Sequence, residues 1–319
     1  MRKNPKLEVV ALQWLENSKM RIKESSYVKY ANMLQKHILP EMGEVRMKRL
    51  TTEMVERFVQ GKLTCGKLDG NGGLSEKTVK DILVVLKAIC QFAEQMDIEA
   101  PCRFHLIRIR QNDSEIHVLG KQEQKRLEEY LMEDDSLLKT GVLISLYMGL
   151  RLGEVCALKK NNILYNEEIL QVRFTMQRIQ NFENKESGKT KIIVTEPKSN
   201  CSVRDIPIPA FLMKRLKNLE DASDNAYVLT GLVNKYIEPR RMENIFKKYL
   251  EECQLEVMNY HTLRHTFATR CIEEGVDVKS LSEILGHANV NITLNRYVHS
   301  SMEQKRRCME KLLLQGEKE

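Results

Sequence analysis

HTLRHTFATRCIEEGVDVKSLSEILGHANVNITLNRY, residues 261–297, is the stretch on which the reading of this chain turns. Apolar Leu263, Phe267, Ala268 and Cys271 recur at three- and four-residue spacing, which predicts a helix over 263–273 that Gly275 stops. His261 and Arg264 then stand one turn apart at its start, where unpaired backbone N–H groups and the positive end of the helix dipole favour an anion. A second helix over 278–285 ends at Gly286 and delivers His287. Tyr297 follows on a short third element with Asn291 as its expected cap. His261, Arg264, His287 and Tyr297 are the residue types needed to hold a phosphate diester and attack it with a phenol. Each also has a plainer reading. A tyrosine is more often core or surface than nucleophile, and His287 can simply cap the helix before it. His261 and His265 are spaced like a zinc pair, but Thr262 stands where that motif needs glutamate.

Working outward, the 319 residues suffice for two domains with their own cores, and 42% hydrophobic with 30% charged residues describes a globular protein. The formal charge of +7 is uneven: residues 1–115 hold 20 Lys and Arg against 15 Asp and Glu, and residues 116–319 hold 31 against 29. That excess permits a polyanionic partner without demanding one. The eight cysteines form no C-x-x-C pair, so neither a zinc module nor a disulfide scaffold is suggested, and free thiols in a cytoplasmic protein are expected. MRKNPKLE leads into no apolar signal region, and the apolar run 141–150 is too short to span a bilayer, so no membrane partner is expected.

Residues 7–97 read as four helices, at 9–16, 26–39 (ended by Pro40), 53–60 behind Thr51 and Thr52, and a last one capped by Ser75. Val79, Ile82, Leu83, Leu86, Ile89 and Ala93 form the apolar stripe of that last helix, with Leu74 and Val79 as a staple across its cap. Lys29, Lys36, Lys77, Lys80 and Lys87 lie off the stripe, as a solvated face or a basic one. Residues 96–115 turn polar and irregular, as a linker does. Beyond them come an amphipathic helix over 121–133 and a helix over 137–148 apolar on nearly every side, which Gly149 breaks so that Arg151 emerges at a turn. Glu154 can orient that arginine or charge-balance the next helix, 152–158. Alternation at Leu170, Val172, Phe174 and Met176 predicts a strand, with further strands at 192–195 and 203–206 in a small antiparallel sheet. Lys198 falls in the turn between the last two. Helices return through 239–252, and a final one is expected over 302–314.

The combination H-x-L-R-H-T-F-A-T (261–269), L-G-H (285–287) and Tyr297 resembles the C-terminal signature of the tyrosine recombinase, or phage-type integrase, family. Two upstream matches that the family requires are present: G-L-R-L-G-E at 149–154, and Lys198 ahead of R-D-I-P at 204–207. The resemblance spans roughly residues 116–311 and, more loosely, the N-terminal part. It implies a mainly α fold with a small antiparallel β-sheet: a helical core-binding domain over 1–97, a linker over 98–115, and a mixed α+β catalytic domain with a C-terminal tail over 116–319. It implies Arg151, Lys198, His261, Arg264, His287 and Tyr297 as the catalytic set, with Tyr297 the nucleophile, His261 its base, Lys198 the acid for the departing 5′ oxygen, and Glu154 in support. If the register slips, Lys189 or Lys191 replaces Lys198. No cofactor or metal is called for. The expected partners are double-stranded recombination sites and three further copies of the chain in a tetramer; an excision accessory factor is left open. The helical unit starts near residue 7, which suggests a recombinase without a separate arm-site domain. The rivals are a type IB topoisomerase using the same chemistry and a DNA-binding regulator without catalysis.

Overall fold

The computed structural model describes residues 4–110, 116–182, 188–197 and 199–297, with Arg306 and Met309. Contacts divide it into two compact units, Met1–Ser114 with Ile179–Lys189, and Glu115–Arg178 with Thr190–Glu319. In the first, the main elements are helices α1 (Leu7–Lys19), α2 (Glu24–Met33), α3 (Leu39–Met42), α4 (Thr52–Cys65) and α5 (Glu76–Glu94). Pro40, expected to end the second helix, does not. The chain runs from α2 through a wide π turn at Leu34–Ile38 into α3, with Pro40 in the first turn of α3, where a missing N–H is tolerated. Thr51 and Ser75 cap α4 and α5 by accepting from the N–H groups of Met54 and Thr78. Ile82, Leu86, Ile89 and Ala93 are buried in one core with Leu7, Leu34 and Ile38, and Val79 is buried as well. Lys36, Lys77, Lys80 and Lys87 are exposed, and Lys29 pairs with Asp81 at 2.7 Å. The segment expected as a linker is tied to this unit: Ile98 is buried, Ala100, Cys102, Phe104 and Ile107 pack on the same core, and the Arg103 N–H donates to Thr52.

The second unit contains α6 (Lys121–Met132), α7 (Leu137–Met148), α8 (Leu152–Ala157), strands β1 (Ile163–Leu164), β2 (Ile169–Val172), most of β3 (Thr175–Gln180), β4 (Thr190–Thr195) and β5 (Arg204–Pro207), then α9 (Ala210–Leu216), α10 (Pro239–Glu252), α11 (His261–Glu273), α12 (Val278–Leu285) and α13 (Val290–Tyr297). The helix α7 is buried along nearly its whole length, and Phe246 of α10, Leu263 of α11 and the inner sheet face, Leu170, Val172 and Ile206, share its core. The sheet β1-β2-β5 is antiparallel, with Leu170 opposite Ile206 and Val172 opposite Arg204. The alternation from Leu170 to Met176 predicts one strand, but the chain breaks after Val172 because it changes partner: β2 pairs with β5, and β3 with β4. Phe174, in the break, is 42% exposed. The expected final helix at 302–314 lies outside the described residues except for Arg306 and Met309. Among the described residues, no helix is long and apolar enough to cross a membrane.

Gly149 closes α7 in the left-handed region at φ +66°, and a Cβ there would lie 2.6 Å from the Phe267 ring and 2.9 Å from Leu285. Backbone strain and overpacking therefore add at this turn. We expect Gly149→Ala to lower stability by about 2–4 kcal/mol, read as a reduced urea midpoint at unchanged m-value.

Candidate active site

Two helix ends and one helix start meet at the site. Tyr260, immediately before α11, is buried with its hydroxyl accepting from Ser145 at 3.0 Å and donating to the Gly141 carbonyl at 3.2 Å, which pins the start of α11 to α7. Both α7 and α12 finish in a left-handed glycine, Gly149 and Gly286. Such ends leave carbonyls without helical partners and carry the negative end of the helix dipole. Arg264, 2% exposed, reaches both ends, donating from Nη1 to the Gly149 carbonyl and from Nη2 to the Leu285 carbonyl, each at 2.7 Å. Arg151 donates to the next carbonyl along, Gly286, at 3.3 Å. Consecutive carbonyls of one turn therefore hold the two guanidiniums side by side. The sequence places the anion preference at the start of α11; the fold adds a seat for the cations made from two helix C-termini.

Glu154, 2% exposed, does both things the sequence allows it. It accepts from the Arg151 backbone N–H at 2.9 Å, closing the first turn of α8, and from Arg151 Nη1 at 2.8 Å. Its remaining lone pairs take a bidentate contact from Arg204, at 3.2 and 2.9 Å. Burial pushes the carboxyl up, but Arg204 and then Arg151 outweigh it and hold the pKa at about 2. Arg204 joins the cluster, although the sequence reading uses it only as a strand marker. It is 8% exposed and also donates to the carbonyls of Ser202 and Ile284, tying β5 to the end of α12. The signal was present: in β5 the buried face alternates Arg204 with Ile206, and a buried charge on a strand needs a partner. Arg151 and Arg204 thus share one buried carboxylate while Arg264 is held by carbonyls, leaving a local excess of positive charge.

Tyr297 is buried at 7% exposure, packed on Ala268, Leu281 and Leu285. Burial raises its pKa, while Arg264 and Arg296 pull the other way. Asn289, not Asn291, caps α13, its side-chain oxygen accepting the Asn291 N–H at 2.9 Å, because the helix begins at Val290. His287 bonds through Nδ1 to the Thr293 hydroxyl at 2.8 Å. His261 stands at the rim, its residue open to solvent while its ring is partly shielded by the packed site. The sequence treats these imidazoles as titrating near neutrality. Here burial, reinforced by Arg264 and Arg151, lowers His261 to about 4 and His287 to about 3. Both are neutral at pH 7, each with one ring N–H and one lone pair. The hydroxyl of Tyr297 lies 2.6 Å from Nδ1 of His265, the residue the sequence considered only as half of a zinc pair, and not against His261. Lys198 lies outside the described residues; Lys189 and Lys191 flank the start of β4.

The family model for the phage integrase family matches residues 117–304, and that for the phage integrase N-terminal SAM-like domain matches residues 6–63. The chain belongs to the phage integrase family, the tyrosine recombinases. It is 28% identical to a tyrosine recombinase XerC-like protein of Caldanaerobacter subterraneus subsp. tengcongensis over 94% of this chain and 80% of that one. The ICEBs1 integrase of Bacillus subtilis is 23% identical over the same shares. Among solved structures, the Tn1549 transposon integrase in complex with transposon right end DNA shares the fold at a TM-score of 0.77 and 19% identity, covering 97% of this chain and 99% of that one. A lambda integrase tetramer bound to a Holliday junction shares it at 0.65 and 14%, covering 94% and 80%.

Proposed function

We propose that this recombinase cleaves and rejoins double-stranded DNA at specific sites through a covalent 3′-phosphotyrosyl intermediate on Tyr297, exchanging strands between duplexes through a Holliday junction. A phosphodiester resists attack because its charge repels nucleophiles and its alkoxide leaves poorly, and the five-coordinate transition state gathers further charge on the nonbridging oxygens. Arg151 and Arg264 neutralise that charge with planar, permanently protonated forks that keep N–H groups beyond those spent on carbonyls and Glu154. Neutral His261 and His287 donate to the same oxygens, Lys198 protonates the departing 5′ oxygen, and a 5′-hydroxyl from a partner strand reseals the ester by the reverse step. Two cleavages per site require four protomers on two paired sites.

The observation that carries this reading is the excess of buried guanidinium over carboxylate beside a buried tyrosine hydroxyl, an arrangement suited to an anion. The DNA seen with two fold relatives, one of them a tetramer, supports the partner and the assembly. A topoisomerase acts on one duplex with one protomer, so the decisive comparison is recombination of a plasmid carrying two sites against relaxation of a supercoiled plasmid carrying none. Recombinant product from the first, without relaxation of the second, is the expected result. Relaxation alone would replace the recombinase by its rival, and no denaturant-stable protein–DNA adduct in either would leave only a DNA-binding protein.

A further inference from the structure

Among the described residues, the Tyr297 hydroxyl lies against His265, with Arg296 acting on it from its own helix. Arg296 helps to pull the Tyr297 pKa down, and a guanidinium can only donate. Nδ1 of His265 lies 2.6 Å from the Tyr297 oxygen, and with the imidazole's own hydrogen on Nε2 the phenol donates to that nitrogen. His265 sits one turn beyond His261 on α11, with the two rings edge to face at 4.6 Å and the Tyr297 ring 5.7 Å away. The groups facing it are His261 and Arg264 on its own helix and Arg296 and Tyr297 on α13. Burial first, and then His261, Arg296 and Arg264, hold it at about 4, so the ring is neutral at pH 7 and keeps one lone pair to accept with.

We infer that His265, rather than His261, takes the proton of Tyr297 as the phenol attacks. The inference rests on the phosphotyrosyl reading. In the step, the Tyr297 oxygen forms its bond to phosphorus while the bond to the 5′ oxygen breaks. The hydroxyl proton passes to Nδ1 and leaves an imidazolium, and the 5′ oxygen receives its proton from a separate acid, Lys198. Resealing returns the proton from His265 to the phenol. An incoming phosphate places negative charge among Arg264, Arg151 and Arg296, offsetting the cations that weaken the base in the DNA-free protein.

Two measurements test this. Long-range proton–nitrogen imidazole spectra of the full chain without DNA are expected to show His265 as the Nε2–H tautomer at pH 7, with an Nδ1 signal that moves in Tyr297→Phe. Protonation at Nδ1, or an unmoved signal, would overturn the assignment. Single-turnover adduct formation is then followed on a nicked suicide duplex that the protein itself selects from a randomised pool. His265→Asn keeps an acceptor without a base, and it is expected to be about 10²–10³-fold slower at pH 7. Its rate should climb about tenfold per pH unit from pH 7 to 9, where the unaltered protein and His261→Asn stay level. A level profile for His265→Asn would reduce His265 to packing, and a climbing profile for His261→Asn would return the role to that residue. No adduct from the unaltered protein would instead sink the phosphotyrosyl reading, an outcome the DNA-free tautomer distinguishes.

Discussion

Tyr297→Phe is expected to leave no covalent protein–DNA adduct on a nicked suicide duplex while DNA affinity changes by less than about threefold. The substitution removes one oxygen and keeps the ring that packs on Leu281 and Leu285, so the site keeps its shape. Its structural cost is one buried hydrogen bond, with His265 Nδ1 left without a donor, about 1–2 kcal/mol. The buried tyrosine at the start of α11 offers no substitute nucleophile, since the Tyr260 hydroxyl is engaged between Ser145 and the Gly141 carbonyl. Adduct is scored by denaturing electrophoresis and affinity by mobility shift. An adduct that survives this change would move the nucleophile elsewhere and undo the mechanism, whereas lost affinity with intact chemistry per bound complex would make Tyr297 a structural residue.

The second large effect is expected at Glu154. Glu154→Gln keeps the shape but leaves Arg151 and Arg204 facing each other without the carboxylate, and breaking a buried pair from one side typically costs about 3–5 kcal/mol. Cleavage should fall by about 10²–10³ as well, because a loosened Arg151 no longer meets the phosphate oxygens in fixed geometry. Removing both partners, Glu154→Leu with Arg204→Met, should recover stability relative to Glu154→Gln, since an apolar replacement of a buried pair is often neutral. Cleavage should not recover, because Arg151 still lacks its orienting carboxylate. Equal recovery of both quantities would show that the pair serves folding only.

The same carboxylate makes a pH prediction. Its pKa is about 2 in the folded chain against 4.5 ordinarily, so the stabilisation is complete above pH 4.5 and is lost as pH falls toward 2. By linkage this amounts to about 3 kcal/mol. His265 and His287 act in the same direction from higher pH. The unfolded chain binds their protons below about 6.5, whereas the folded chain resists to about 4 and 3. Urea midpoints should therefore begin to fall below about pH 6.5 and fall more steeply below 4.5. In Glu154→Gln the steeper part should shrink.

Much of the site was legible because its signals are local. The apolar run placed α7 with its observed bounds and the chain's pattern placed α10 and α12, while Gly149 and Gly286 marked the ends that became the cradle. The misses share a cause. Pro40 did not end a helix because a π turn ahead of it absorbed the defect, and Phe174 left its strand because β2 and β3 pair with different neighbours. Asn289 displaced Asn291 as cap through a shift of two residues.

By itself the sequence singled out the candidate side chains, because spacing along one helix and glycine stops at two others are properties of the local chain. Tertiary structure alone decided which of them touch. It set Arg264 across the ends of α7 and α12, joined Arg204 to a carboxylate fifty positions away, and gave the Tyr297 hydroxyl to His265 instead of His261. Periodicity ranks the residues on a face, but two imidazoles one turn apart on the same face are equivalent until another helix arrives to choose between them. The approach of α13 makes that choice.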